Sequence, residues 1–235
     1  MKIVAICSAY EEPHLGEVVT HLWDQHVDRV LISTPPGDEI TLRSIDPVNR
    51  NYIHQTGPFI QNEEMTRLAH YATDTYGATW IVPFDADEYW IDPLGQTIRD
   101  ILTAQPAEIG KIHCAMFKHL DYDRRLTYQN PMGKVVFRPH PEMRLEWGQH
   151  GVTGVPGADA HGLLEVRELQ YRDRAHWDAK IDKARRLHAS GSVPAQYGGH
   201  MRDLVNMTDE ERDAAWTKYQ AQETVHDPIP VRNRD

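Results

Sequence analysis

Cysteine is scarce in this 235-residue chain, which has only Cys7 and Cys114. Both sit in apolar runs, so they read as core thiols, and a disulfide framework is excluded. Long apolar runs are missing as well: no stretch approaches the roughly 20 residues that a membrane-crossing helix needs. The first residues lack a signal-peptide pattern, because Lys2 is followed by only a short apolar run. The expected setting is therefore the cytoplasm, that of the host if a phage encodes the chain. Positive charge is in deficit, with a formal net charge of -10. That argues against a surface coated in phosphate-binding basic residues and leaves room only for a local basic groove. Internal repeats and low-complexity tracts are absent. The length suits one substantial domain with a C-terminal appendage.

What the chain does have is an alternation of short apolar runs and amphipathic stretches. Residues 2–8 (KIVAICS) predict a buried strand, and Leu15, Val18, Val19 and Leu22 mark a helix over 11–23. RVLIS at 29–33 predicts a second strand, stopped by the turn signal Thr34-Pro35-Pro36-Gly37-Asp38. Residues 39–60 read as polar and irregular, with a short strand near Tyr52–His54. Asn62 is the expected cap of a helix carrying Met65, Leu68, Ala69 and Ala72, which Gly77 ends. A buried strand follows at the start of WIVPFDADEYW (80–90), its apolar run ending in the carboxylates of Asp85–Glu88. Strand-helix alternation of this kind points to a parallel α/β sheet. In such sheets ligands bind beyond the carboxyl ends of the strands. Ser8–Glu12, Thr34–Asp38 and Asp85–Glu88 fall at those ends, so three loops should converge on one crevice.

The acidic stretch at 85–88 carries the chemistry. On extended backbone Asp85 and Asp87 share one side, and two carboxylates so held repel unless a cation lies between them. Oxygen ligands at a strand end suit a hard divalent ion, Mg2+ or Mn2+. Further along, helices are expected around Ile98–Leu102 and over 173–189, with strands at 111–117, 134–138 and 163–169. Thr208 and Glu211 form a capping box opening a last helix, and residues from His226 on read as a loose tail.

The ordered series Tyr10-Glu11-Glu12, NEEMTRLA (62–69), WIVPFDADEYW, KVVFRPH, GQHGV and YRDRAHWDAKIDKA resembles the GT-A glycosyltransferases, in particular the family 2-like group. The resemblance implies an α/β, GT-A (Rossmann-like) fold over residues 1–190, a mixed, mostly parallel sheet flanked by helices, with a C-terminal helical extension over 191–235. It implies transfer of a sugar from a nucleotide-sugar, a UDP-sugar above others, to an acceptor hydroxyl with Mn2+ or Mg2+. Asp87 would ligate the metal with His150 reaching back to it, His161 being a rival. Asp85, Glu12, Tyr10 and Asp38 would meet the donor's ribose or base, and Arg67 its phosphate. Arg67 has an alternative partner in Glu63 or Glu64 on its own helix. Glu88 is second to the metal or faces the acceptor. Arg172, Arg174, Lys180 and Lys183 hold phosphate or form a solvated helix face. The general base is expected at Asp121, ahead of Glu146 and Asp159. The acceptor is a polysaccharide, a lipid-linked sugar or a modified DNA base, the last suggested by Arg124, Arg125, Arg138, Arg144, Arg172 and Arg174. Two other classes stand beside this reading, a nucleotidyltransferase and a non-catalytic nucleotide-sugar-binding module.

Overall fold

The structure is a computed structural model that describes residues 1–46, 48, 51–55, 60–189 and 199–230. Its first half alternates as expected: β1 (Ile3–Ser8), α1 (Leu15–Asp24), β2 (Arg29–Thr34), α2 (Glu39–Ile45), β3 (Tyr52–His54), α3 (Gln61–Tyr76) and β4 (Trp80–Pro83). Then come β5 (Glu88–Ile91), α4 (Ile98–Ala104), β6 (Ile109–Lys118), β7 (Arg124–Leu126), β8 (Asn130–Phe137), β9 (Arg144–Leu145), β10 (Val152–Thr153) and β11 (Ala158–Glu168). The C-terminal elements are α5 (Arg174–Ala189), α6 (Gly199–Asn206), α7 (Asp209–Gln220) and β12 (Thr224–His226).

Eight strands form one mixed, Rossmann-like sheet in the order β3-β2-β1-β4-β8-β6-β11-β5. The strands from β3 to β4 are parallel, as are β6 and β11, whereas β8 and β5 run antiparallel to their neighbours. Strand residues alternate between faces. Ile3, Ala5 and Cys7 therefore join one core, and Val4 and Ile6 the other, packed on α3. Both cysteines are free and buried, as their apolar settings imply. Among the described residues no helix is long and apolar enough to cross a membrane.

Several sequence expectations are corrected. Residues 39–45 form α2, because the Asp38 carboxylate caps it by accepting from the Thr41 N–H at 3.1 Å. Ile60 occupies the cap position of α3 and Asn62 lies inside the helix. WIVPFDADEYW is two strands joined by a turn over Asp85–Asp87, closed by the Glu88 N–H on the Asp85 carbonyl at 3.2 Å. The segment after His226 is tied down: the Ile229 N–H donates to Tyr122 O at 2.7 Å, and Ile229 is fully buried. The turn-rich linker expected over 191–199 lies outside the described residues except for Gly199.

The helix α5, which turns out to line the site, is clamped by aromatics. Trp177 is buried against Tyr171, with ring centroids 4.6 Å apart, and against Trp216 at 5.3 Å. The capping box of Thr208 and Glu211 starts α7 as the spacing implies, and α7 supplies Trp216 and Tyr219 to this cluster. Replacing a buried tryptophan by alanine removes its transfer free energy and leaves a cavity. Trp177→Ala should therefore cost about 3–5 kcal/mol in urea unfolding, whereas Trp→Ala at a solvated position would cost well under 1 kcal/mol.

Candidate functional site

A cavity of about 640 Å3 opens at the carboxyl edge of the sheet. Ser8, Tyr10 and Glu12 reach it from the loop after β1, Asp85–Glu88 from the turn after β4, Lys118 from β6, Lys134 from β8 and Glu168 from the end of β11. Lys180 and Lys183, one turn apart on α5, close it from above, and His150 lines it from the glycine segment. Tyr10, Glu12, Asp85, Asp87 and His150 are thus brought together as the motif series implies.

Lysine ammoniums neutralise the carboxylates. Lys134 Nζ lies 2.7 Å from Asp85 Oδ2 and 2.7 Å from Glu88 Oε1. It also donates to Gly148 O at 2.7 Å and to Gln149 Oε1 at 3.0 Å, so four oxygens surround it. Its side chain is 2% exposed. Burial alone would drive its proton off, but Asp85 and Glu88 hold its pKa above the usual lysine range. Gly148 is needed here: its φ is +66°, and a Cβ on it would collide with the His150 ring. Asp87 Oδ2 meets Lys180 Nζ at 2.6 Å. Burial pushes Asp87 up, yet the charge and hydrogen bond of Lys180 leave it below the ordinary carboxylate range. Lys183 bonds Glu12 and the Tyr10 carbonyl, the latter at 3.0 Å. Five carboxyl groups (Glu12, Asp85, Asp87, Glu88, Glu168) thus face four ammoniums (Lys118, Lys134, Lys180, Lys183). Asp85 and Glu88 share the one ammonium of Lys134. Burial, joined by Asp85 and Asp87, lifts the Glu88 pKa well above the ordinary value against the pull of Lys134.

The donor set does not fit a divalent ion as these side chains stand. Asp85 and Asp87 are each claimed by a different lysine. The Lys134 and Lys180 ammoniums already offset the charge of these two carboxylates, and both would repel a divalent ion placed between them. His150 Nδ1 donates to Gly133 O at 2.7 Å, which leaves Nε2 as its acceptor nitrogen, and burial lowers its pKa. Among the described residues no group of three or more His, Cys, Asp and Glu converges as a metal site requires. His161 is remote from this set, stacked on His113 at 4.9 Å.

Three expected site residues are committed elsewhere and do not line the cavity. The Asp38 carboxylate accepts from Thr34 Oγ1, Thr41 Oγ1 and the Glu11 N–H, at 3.0, 2.6 and 2.8 Å. It shapes the loop that carries Glu12. Arg67 forks onto Glu64 at 2.6 and 2.8 Å, the helix pairing that its spacing allowed. Asp121 closes a turn, accepting the N–H groups of Asp123 and Arg124 at 2.9 Å and the Arg124 guanidinium at 2.6 Å. The carboxyl group in the cavity that sequence reasoning passed over is Glu168. It is in register with Glu88 on one side and Lys118 on the other. Its Oε2 is buried without a hydrogen bond, 3.9 Å from Lys118 Nζ. Burial, then the charge of Asp87, raise its pKa. An acid at the very end of the strand run LLEVRE was its only signal. Lys134 was signalled by a lysine opening the apolar run KVVF.

Lys134→Met should leave the Glu88 carboxyl buried without a counter-charge, costing about 3–5 kcal/mol near pH 8. Glu88 already has a folded pKa above its unfolded one and loses the pull of Lys134, so the penalty appears as pH rises through the folded value and vanishes below the unfolded one. Urea unfolding of both proteins from pH 8 down to pH 4 should show the gap narrowing; a constant gap would contradict the pairing.

No protein-family model matches the sequence, and no curated protein does. Among solved structures it is similar to CMP:2-keto-3-deoxy-manno-octonic acid synthetase complexed with CTP, at 13% identity and TM-score 0.33, over 81% of this chain and 87% of that one. HddC from Yersinia pseudotuberculosis matches at 14% and 0.36, over 72% and 77%. Mannose-1-phosphate geranyltransferase from Thermus thermophilus matches at 15% and 0.34, over 92% and 68%. A likeness this slight carries no argument about function.

Proposed function

We propose that the chain is a glycosyltransferase that moves a sugar from a nucleotide-sugar, a UDP-sugar above others, to an acceptor hydroxyl. The observation that carries this reading is the cavity at the carboxyl ends of β1 and β4. There the Asp85-Ala86-Asp87 turn faces the lysines of α5. Ligands of parallel α/β sheets bind at that edge, and ammoniums beside carboxylates suit a molecule with both phosphates and sugar hydroxyls. On this reading Tyr10 and Glu12 meet the nucleoside, Asp85 and Asp87 its ribose and the sugar hydroxyls, and His150 closes the far wall. On this reading residues 1–190 carry the chemistry, and the described part of 191–235, with α6, α7 and β12, is an appendage.

Glu168, not Asp121, is the base on this reading. It lines the cavity, and among the described residues its Oε2 has no hydrogen bond, only the Lys118 ammonium 3.9 Å away, whereas the oxygens of Asp121 are taken up by its own turn. A carbohydrate acceptor is favoured over DNA. Of the six arginines that suggested DNA, Arg124, Arg125, Arg172 and Arg174 each bridge an acid, and Arg138 and Arg144 donate to main-chain carbonyls. They form separate pairs, so no run of free guanidiniums is left for phosphates among them.

One observation favours nucleotidyl transfer: Lys183 brings an ammonium to the loop after β1, where a triphosphate would lie. That loop, residues 8–16, has no lysine or arginine of its own. The two reactions release different products. Incubation with UDP-sugars and a carbohydrate acceptor panel should release UDP. Pyrophosphate released from a nucleoside triphosphate plus a sugar 1-phosphate would establish the other chemistry, and donor binding without either product would make the chain a binding module. Glu168→Gln should lower kcat by about 10^2–10^4-fold while the donor Kd measured by calorimetry stays unchanged. A parallel loss of donor affinity would place Glu168 in binding instead.

A further inference from the structure

We infer that the cavity holds a nucleoside diphosphate without a divalent ion, Lys134 acting as a built-in cation for the carboxylate turn while Lys180 and Lys183 meet the phosphates. The inference rests on the nucleotide-sugar reading and specifies how that site binds its ligand.

The three lysines divide into two kinds. Lys134 is enclosed, 2% exposed, with four oxygens around one ammonium. An ammonium has three N–H donors, so Lys134 has none left for a ligand. Its place is that of the cation that two adjacent acids require. Lys180 and Lys183 are on the cavity wall, with side chains 15% and 17% exposed. Among the described residues Lys180 donates to Asp87 alone, which leaves two N–H donors directed elsewhere. Lys183 donates to the Tyr10 carbonyl and to Glu12, which leaves one. Three residues apart on one helix, the two side chains start on the same face, about 5–6 Å from each other. Lysine side chains starting there can converge on the adjoining phosphates of one diphosphate. The Trp177 cluster fixes the helix that carries them.

In the transfer step the bond between the sugar's anomeric carbon and the β-phosphate oxygen breaks, and the nucleoside diphosphate leaves with the electron pair. The acceptor oxygen bonds that carbon and gives its proton to Glu168. The charge that grows on the leaving oxygen is met by Lys180 and Lys183, which already sit in a poorly hydrated site and need no reorganisation.

The test titrates UDP into the full chain by calorimetry, once with EDTA and once with MnCl2, and titrates MnCl2 alone. The expected result is the same UDP affinity in both buffers and no saturable Mn2+ binding. Lys180→Gln and Lys183→Gln should each weaken UDP by about tenfold in EDTA, with melting curves that report an intact fold. UDP binding seen only with Mn2+, or stoichiometric Mn2+ binding alone, overturns the inference and leaves the nucleotide reading standing. If UDP, CDP, GDP and ADP all fail to bind in both buffers, the nucleotide reading falls and the inference with it.

Discussion

The Lys134 ammonium, enclosed between Asp85 and Glu88, is the contact on which the rest of the site depends. Burying the Lys134 ammonium and the Glu88 carboxyl is costly, and the arrangement is tolerable because the three N–H donors of the ammonium find acceptors among the four oxygens around it. The same contact fixes the geometry. It joins the turn after β4 to β8 and, through the Gly148 carbonyl, to the glycine segment that carries His150. Remove it, and three parts of the wall lose their common anchor. Glu88 uses its second oxygen on the Asp85 N–H at 3.0 Å, so the turn is held from both its side-chain and main-chain ends.

The fold serves this arrangement by bringing remote pieces of chain to one edge. The parallel strands β1, β2 and β4 present their carboxyl ends together, and the antiparallel pairing of β8 with β4 and β6 lays Lys134 beside Asp85. The helix α5 then crosses above, and its lysines reach Asp87 and Glu12, residues about 90 and 170 positions away in sequence. Its own face is secured by Trp177 and by the Trp216 and Tyr219 rings of α7. The last strand, β12, and Ile229 tie the chain end back to Tyr122, which in turn donates to Glu17 at 2.6 Å. The C-terminal segment is thereby joined to the sheet domain by main-chain pairing and by the Tyr122 side chain.

Much of this was legible in the sequence because it is written in local pattern. The strand-helix alternation, the Gly77 stop, the Thr208 capping box and the buried character of Trp177 each follow from residues close together in the chain. So does the gathering of Tyr10, Glu12, Asp85, Asp87 and His150, through the strand-end rule and the motif order. What was illegible is partnership across the sheet. Nothing near Asp85 says that the cation between the acids is a lysine 49 residues on, contributed by a strand whose neighbours depend on the register. Asp38 and Asp121 are informative failures of the same kind: short polar side chains at turns satisfy backbone N–H groups first, and both carboxylates are used up that way. Arg67 followed the helix rule, pairing three residues back with Glu64. The acidic stretch was legible as a strand end, but the return strand β5 was not, because its partner β11 is remote in the chain, with Glu88 opposite Glu168.

The claim at the centre is that ammoniums, not a divalent ion, balance the carboxylates of this cavity. A crystal structure of the chain with UDP, grown in the presence of Mn2+, tests it most directly. The expected structure has phosphate oxygens within hydrogen-bond distance of Lys180 and Lys183, with Lys134 still between Asp85 and Glu88. A Mn2+ ion bridging Asp85 and Asp87 to the phosphates, with Lys134 or Lys180 swung away from its acid, would contradict it.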